Sequence, residues 1–183
     1  MVEKGASPAA WAMENPVPGG KLMTEVPSEW LGPYIGSNLF SILLSVVAAL
    51  WPRVSRWVFV LMFLAAGIVN ITTAIQQPWV YLDYGQSALP ELYRSFIYGF
   101  FSQHTQPIVL AIATGQLVVG VLLITRGWLF GLGVLGGIIF LVAISPIGVF
   151  SGFPATLVMT AALFVTWRRL PQRYRYETAA EGR

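Results

Sequence analysis

The chain has 183 residues, of which 56% are hydrophobic and 10% charged, with a formal net charge of +3. Soluble domains carry roughly 25% charged residues, so this composition excludes an ordinary water-soluble fold and selects the membrane class. The absence of cysteine excludes disulfides, covalent c-type haem and thiolate-held iron-sulfur clusters.

In chain order, residues 1–30 come first, with Pro8, Pro16, Pro18 and Pro27, a Pro18-Gly19-Gly20 run and no apolar periodicity. Such a tail is expected to be disordered alone. It lacks the apolar core of a secretory signal peptide, so no cleavage is expected. It reads instead as an arm for another subunit, with Trp11 and Trp30 as anchors, because aromatic side chains dominate binding energy at interfaces.

The next segment, residues 31–167, reads as a transmembrane helical domain with five spans: Leu31 to Trp51, Trp57 to Ile75, Gln106 to Thr125, Trp128 to Ile144 and Gly152 to Trp167. The last two follow from one observation. Gly127 to Trp167 is a run of 41 residues without a charged side chain or histidine. At about 1.5 Å per residue one helix of that length would be roughly twice as long as a bilayer core is thick. The chain must cross, turn and cross back, and Ser145 to Pro154, with two prolines and two glycines, supplies the turn. Six of the seven tryptophans fall at or just beyond a span end, where an indole buries its ring and keeps its N–H wet. The uninterrupted apolar part of the first span begins only at Leu39, which leaves a surface-lying first helix as the alternative.

With five spans, eight arginines (Arg53, Arg56, Arg126, Arg168, Arg169, Arg173, Arg175 and Arg183) share one side, against Lys4, Lys21 and Arg94 on the other. The positive-inside rule makes the first side cytoplasmic, with the N-terminus and the loop from Gln76 to Thr105 outside and residues 168–183 forming a basic cytoplasmic tail. Positive charge is thereby explained by topology and contact with membrane lipids, and no nucleic-acid partner is expected.

The outer loop carries Leu89, Leu92, Tyr93, Phe96, Ile97, Phe100 and Phe101 at the spacing of one helical face, predicting an amphipathic helix over 89–101 with Pro90 in its first turn. Tyr93, Arg94 and the single histidine, His104, make it an interfacial aromatic belt or a cap over a site. Within the spans the polar residues are uncharged: Asn70, Thr72, Thr73, Gln76 and Gln77 along the second, and Gln116 in the third. Asn and Gln in hydrocarbon bond across helices, so Asn70 and Gln116 are expected to clasp, or to hydrogen-bond the headgroup of a bound lipid or quinone together with Thr73, Tyr93, Arg94 and His104. Gly133 and Gly137 form a G-x-x-x-G pair, with Gly67, Gly115 and Gly120 as further close-packing positions. Gly131 to Gly136 spells G-x-G-x-x-G, but no strand precedes it and a dinucleotide turn is rejected. No nucleophile elbow, phosphate loop or paired carboxylates appear, so no catalytic residue and no metal ligand is assigned.

Phe63 to Asn70, Ala113 to Leu123 and the glycine-rich fourth span together resemble the DoxX-like family of small bacterial four-helix membrane proteins, over roughly three fifths of the chain. The resemblance implies a four-helix unit in the bacterial cytoplasmic membrane; with the added N-terminal span and the outer amphipathic helix read above, the expected fold is an all-α polytopic bundle. The resemblance also implies work beside other membrane protein subunits in quinone-linked systems. The functional expectation is a non-catalytic accessory subunit of a larger electron-transfer or light-harvesting complex, the alternative being a quinone- or lipid-binding oxidoreductase component.

Overall fold

The computed structural model describes residues 28–170. Both tails, with Trp11 and the basic residues after Leu170, lie outside them; Trp30 stands in the first turn of the first helix. The described chain is all-α. Seven α-helices follow in order: α1 (Ser28–Leu50), α2 (Pro52–Gln76), α3 (Tyr84–Ser87), α4 (Glu91–Phe96), α5 (Thr105–Ile124), α6 (Gly127–Ile144) and α7 (Ala155–Arg169). Tight 3-10 turns at Pro78–Asp83, Ser145–Ile147 and Val149–Ser151 link them.

Helices α1, α2, α5 and α6 are each long and apolar enough to cross a membrane, and the chain is a multi-pass membrane protein. The fifth expected span, α7, has 15 residues and so covers only about 22 Å. It still runs the length of the bundle, because Thr156 near its start bonds Ser145 at one end and Thr166 near its finish bonds Ser55 at the other. The Ser145–Pro154 connection makes up the missing length.

The sequence sets the corners. Pro52 has no N–H to continue α1, and its fixed φ suits the first position of a helix, so α1 stops and α2 starts across Trp51 alone. Gly127, at φ 65°, allows the two-residue turn, Thr125 and Arg126, from α5 to α6. Exposed Trp51, Trp57 and Trp128 ring that end, and exposed Trp79 stands at the other, as the tryptophan pattern predicts.

Helices α2, α5, α6 and α7 close a ring in which each packs on the next, and α1 lies outside it against α7 and α2. The core of the ring holds Phe59, Phe63, Leu123, Phe130 and Leu163, each at most 1% exposed. A second, smaller core of Ala74, Tyr81, Leu82, Ala88, Ile97, Phe101 and Val109 lies under the segment between α2 and α5, which forms a cap.

The cap departs from the expected continuous amphipathic helix. Pro90 precedes α4 rather than joining it, and the helix widens over Ile97–Phe101 into a π-type turn with Gly99 at φ −92° and ψ −105°. The apolar row splits accordingly. Ile97 and Phe101 turn into the cap core, while Leu89, Leu92, Phe96 and Phe100 stay exposed.

Candidate functional site

The α2–α5 seam is the most closely packed contact in the ring, and glycine makes it so. A Cβ on Gly67 would stand 2.7 Å from Leu117 Cδ2 and 3.0 Å from the Ala113 carbonyl oxygen; one on Gly120 would stand 2.7 Å from Leu64 Cδ2. Gly133 meets Leu122 and Leu123 at 2.9–3.0 Å, and Gly137 meets Leu163 at 2.8 Å and Phe63 at 3.2 Å. Gly115 differs from the other four expected packing glycines: no atom lies within 4 Å of its Cβ position. It directly precedes the seam position Gln116, and one residue's turn of the helix places it on the outside of α5.

At the end of this seam nearest the cap, the side chains of Asn70 and Gln116 meet. Asn70 Nδ2 donates to Gln116 Oε1 at 2.7 Å, which is the expected clasp. The phenol of Tyr81 completes it from the cap, donating to Asn70 Oδ1 at 2.9 Å and reaching the Asn70 backbone oxygen at 3.3 Å. Thr73, one turn along α2, adjoins the same phenol. Burial pushes the Tyr81 phenol up from its ordinary value of 10.0, with the Thr73 side chain acting the other way.

Above the clasp a second polar group sits inside the cap. Tyr98 lays its ring on Gly85, whose Cβ would stand 2.5 Å from the ring carbon that bears the hydroxyl. Asp83 accepts from Gln86 Nε2 at 3.2 Å. Burial raises the Asp83 carboxyl above its ordinary 3.8, the Gln86 bond opposing it. The Tyr84 phenol is raised by burial, then by the charges on Tyr81 and Asp83. Tyr98 is raised by burial, lowered by the Arg94 guanidinium and raised again by Asp83.

The structure divides the remaining expected site residues from the clasp. Tyr93 donates to the Ala143 carbonyl at 3.0 Å, tying the cap to the end of α6. Arg94 pairs with Glu91 at 3.4 Å and reaches the Ala88 carbonyl. His104 is exposed, stacks on Phe100 at 4.5 Å between centroids, and contacts the Phe100 carbonyl through Nδ1. These three side chains bond within the cap or to α6, whereas Asn70 and Thr73 meet Tyr81 and Gln116 joins them through Asn70. Tyr81 was not among the expected residues. It is one aromatic in the run Pro78 to Tyr84, and only the 3-10 winding of Pro78–Asp83 aims it back at α2.

The opposite end of the ring has its own unexpected residue. Arg56 is 7% exposed. Its Nε donates to the Leu123 carbonyl at 2.7 Å, and its terminal nitrogen to those of Ile124 and Thr125, with its guanidinium 4.9 Å above the Phe130 ring. It thus closes the C-terminus of α5, whose last carbonyls have no helical donor, and its charge opposes the negative pole there. Arg169 does the same for α1 through the Ala49 carbonyl at 2.9 Å. Among the described residues no three His, Cys, Asp or Glu side chains gather as a metal site.

No protein-family model, curated protein or solved structure matches the chain.

Proposed function

We propose that this protein is a non-catalytic accessory subunit of a larger membrane complex, held in a bacterial cytoplasmic membrane with its arginine-rich end inside and its cap outside. The observation that carries the reading is the outward face of α1. This helix contacts the ring along one side only, and Gly32 and Gly36, a G-x-x-x-G pair, have no atom within 4 Å of either Cβ position. Within a bilayer, small residues at that spacing let a second helix approach closely, because van der Waals contact rather than the hydrophobic effect drives association there. The polar side chains of the ring support the same reading, since Arg56, Ser55, Thr166, Ser145, Thr156 and Asn70 all serve to bind one element to another. Quinone-linked electron transfer is the setting that the DoxX-like resemblance suggests for the complex, and light harvesting is the other proposed setting.

The chain has no cysteine of its own, so a single one can be placed cleanly. Gly36→Cys carrying a photoreactive maleimide, irradiated in native membranes, is expected to give one adduct of discrete mass with another membrane protein. The same probe at Leu61, 66% exposed on α2, is expected to label lipid only. Equal and diffuse labelling from both positions would refute the docking face.

A further inference from the structure

Gln116 is 4% exposed, yet among the described residues its side chain makes a single hydrogen bond, as acceptor from Asn70. Tyr81 donates toward Asn70, and that direction of bonding runs on through both amides. Its one phenolic proton goes to the nearer acceptor, Asn70 Oδ1 at 2.9 Å, in preference to the backbone oxygen at 3.3 Å. Asn70 therefore turns its oxygen to Tyr81 and its NH2 to Gln116, and Gln116 turns its oxygen to Asn70. The Gln116 NH2, with two donor hydrogens, is left without a partner among the described residues. Two neighbouring hydroxyls on these helices are satisfied by their own backbone: Thr72 donates to the Ile68 carbonyl and Thr114 to that of Leu110. Buried amide donors are rarely left unmade, because burial removes the water that would otherwise satisfy them.

The chemistry of the missing acceptor follows from its surroundings. An anion would require a cation beside it, and the nearest arginine in the cap, Arg94, is committed to Glu91 and the Ala88 carbonyl. The outer faces of the two helices at this level are apolar, with Val69 60% and Ile112 41% exposed. A neutral oxygen on an apolar body satisfies both conditions. We propose that the Gln116 carboxamide binds the carbonyl oxygen of a lipophilic molecule taken from the bilayer, with Asn70 and Tyr81 as positioning residues that fix the direction of the amide. An acyl ester of a membrane lipid and a free lipophilic ketone present the same group.

The test uses the full chain purified from its native membrane, alongside Gln116→Leu prepared in parallel and checked for helix content and elution volume. Mass spectrometry of the organic extract is expected to find one carbonyl compound at about one per wild-type chain and about fivefold less in the variant, the loss expected of one hydrogen bond. Fragmentation separates the two sources, a glycerol ester or a ketone. Absence of any such compound near stoichiometry from the wild-type protein, as when water alone serves the amide, would overturn the proposal, as would equal retention by a folded variant. Should the variant not fold, the infrared carbonyl band of the compound on the wild-type protein decides: a shift to lower frequency than in bare detergent supports the bond, and an unshifted band refutes it.

Discussion

The two ends of the ring are closed by opposite means. At the arginine-rich end the corners are as short as helices allow, and single side chains reach across to finish them: Arg56 on α5, Arg169 on α1, and Ser55 against Thr166 at 2.7 Å. At the capped end a separate segment with its own small core covers the bundle. It is fastened to the α6–α7 connection by Ser87 donating to the Ile147 carbonyl at 2.7 Å and the Leu89 N–H to that of Pro146 at 2.9 Å. The first end depends on charge meeting helix termini, the second on close approach of backbone. Their failures should therefore look different.

Arg56→Ala should have the largest effect, a loss of about 4 kcal/mol, since it removes charge-assisted bonds to three carbonyls at the end of α5. Thermal unfolding in detergent measures it. Lysine should not rescue it, because a single ammonium cannot fork to three carbonyls while lying over Phe130. Gly148→Ala tests the other closure. Gly148 sits at φ 90°, and a Cβ there would stand 2.0 Å from the Ser87 carbonyl oxygen, so cap and connection must separate. A loss of about 3 kcal/mol is expected. It should appear as faster hydrogen exchange confined to residues 78–104, with the arginine-rich end unchanged, and global unfolding instead would break the contrast between the ends.

Asn70→Leu is expected to cost about 1 kcal/mol, the usual size of an interhelical side-chain bond in a membrane protein. Tyr81 should then gain mobility, readable from exchange at its amide. The smallest effect is a pH dependence. The Asp83 carboxyl titrates above its ordinary 3.8 because burial penalises its charged form. The folded state thus binds its proton more tightly than the unfolded chain does. That contribution to cap stability is complete below 3.8 and is lost as the pH rises through the elevated folded value. Asp83→Asn should flatten the profile of cap opening across that range, and an unchanged profile would show that another group titrates there.

The difference between the ends also explains what the sequence made legible. Hydrophobic runs and tryptophans located the long helices, because a bilayer imposes length and end chemistry whatever the tertiary contacts are. The Asn70–Gln116 clasp was equally readable, since two amides in apolar helices have few other partners. In the sequence Arg56 marks only a side of the membrane. Nothing in the local sequence shows that it folds back onto a helix end 67 residues later. The seven apolar residues of 89–101 suggested one helix, but Gly99 breaks the period and divides the row between cap core and surface. By residue type Gly115 matches the packing glycines, and only the helical phase of α5, fixed by Gln116 and Gly120 facing α2, turns it away.

The most direct test of the account is purification from native membranes in mild detergent, comparing the wild-type chain with Gly36→Leu. Another membrane protein is expected in fixed stoichiometry with the wild type and is expected to be lost from the variant, with both chains equally folded. A stable wild-type monomer, travelling with no other protein, would contradict it.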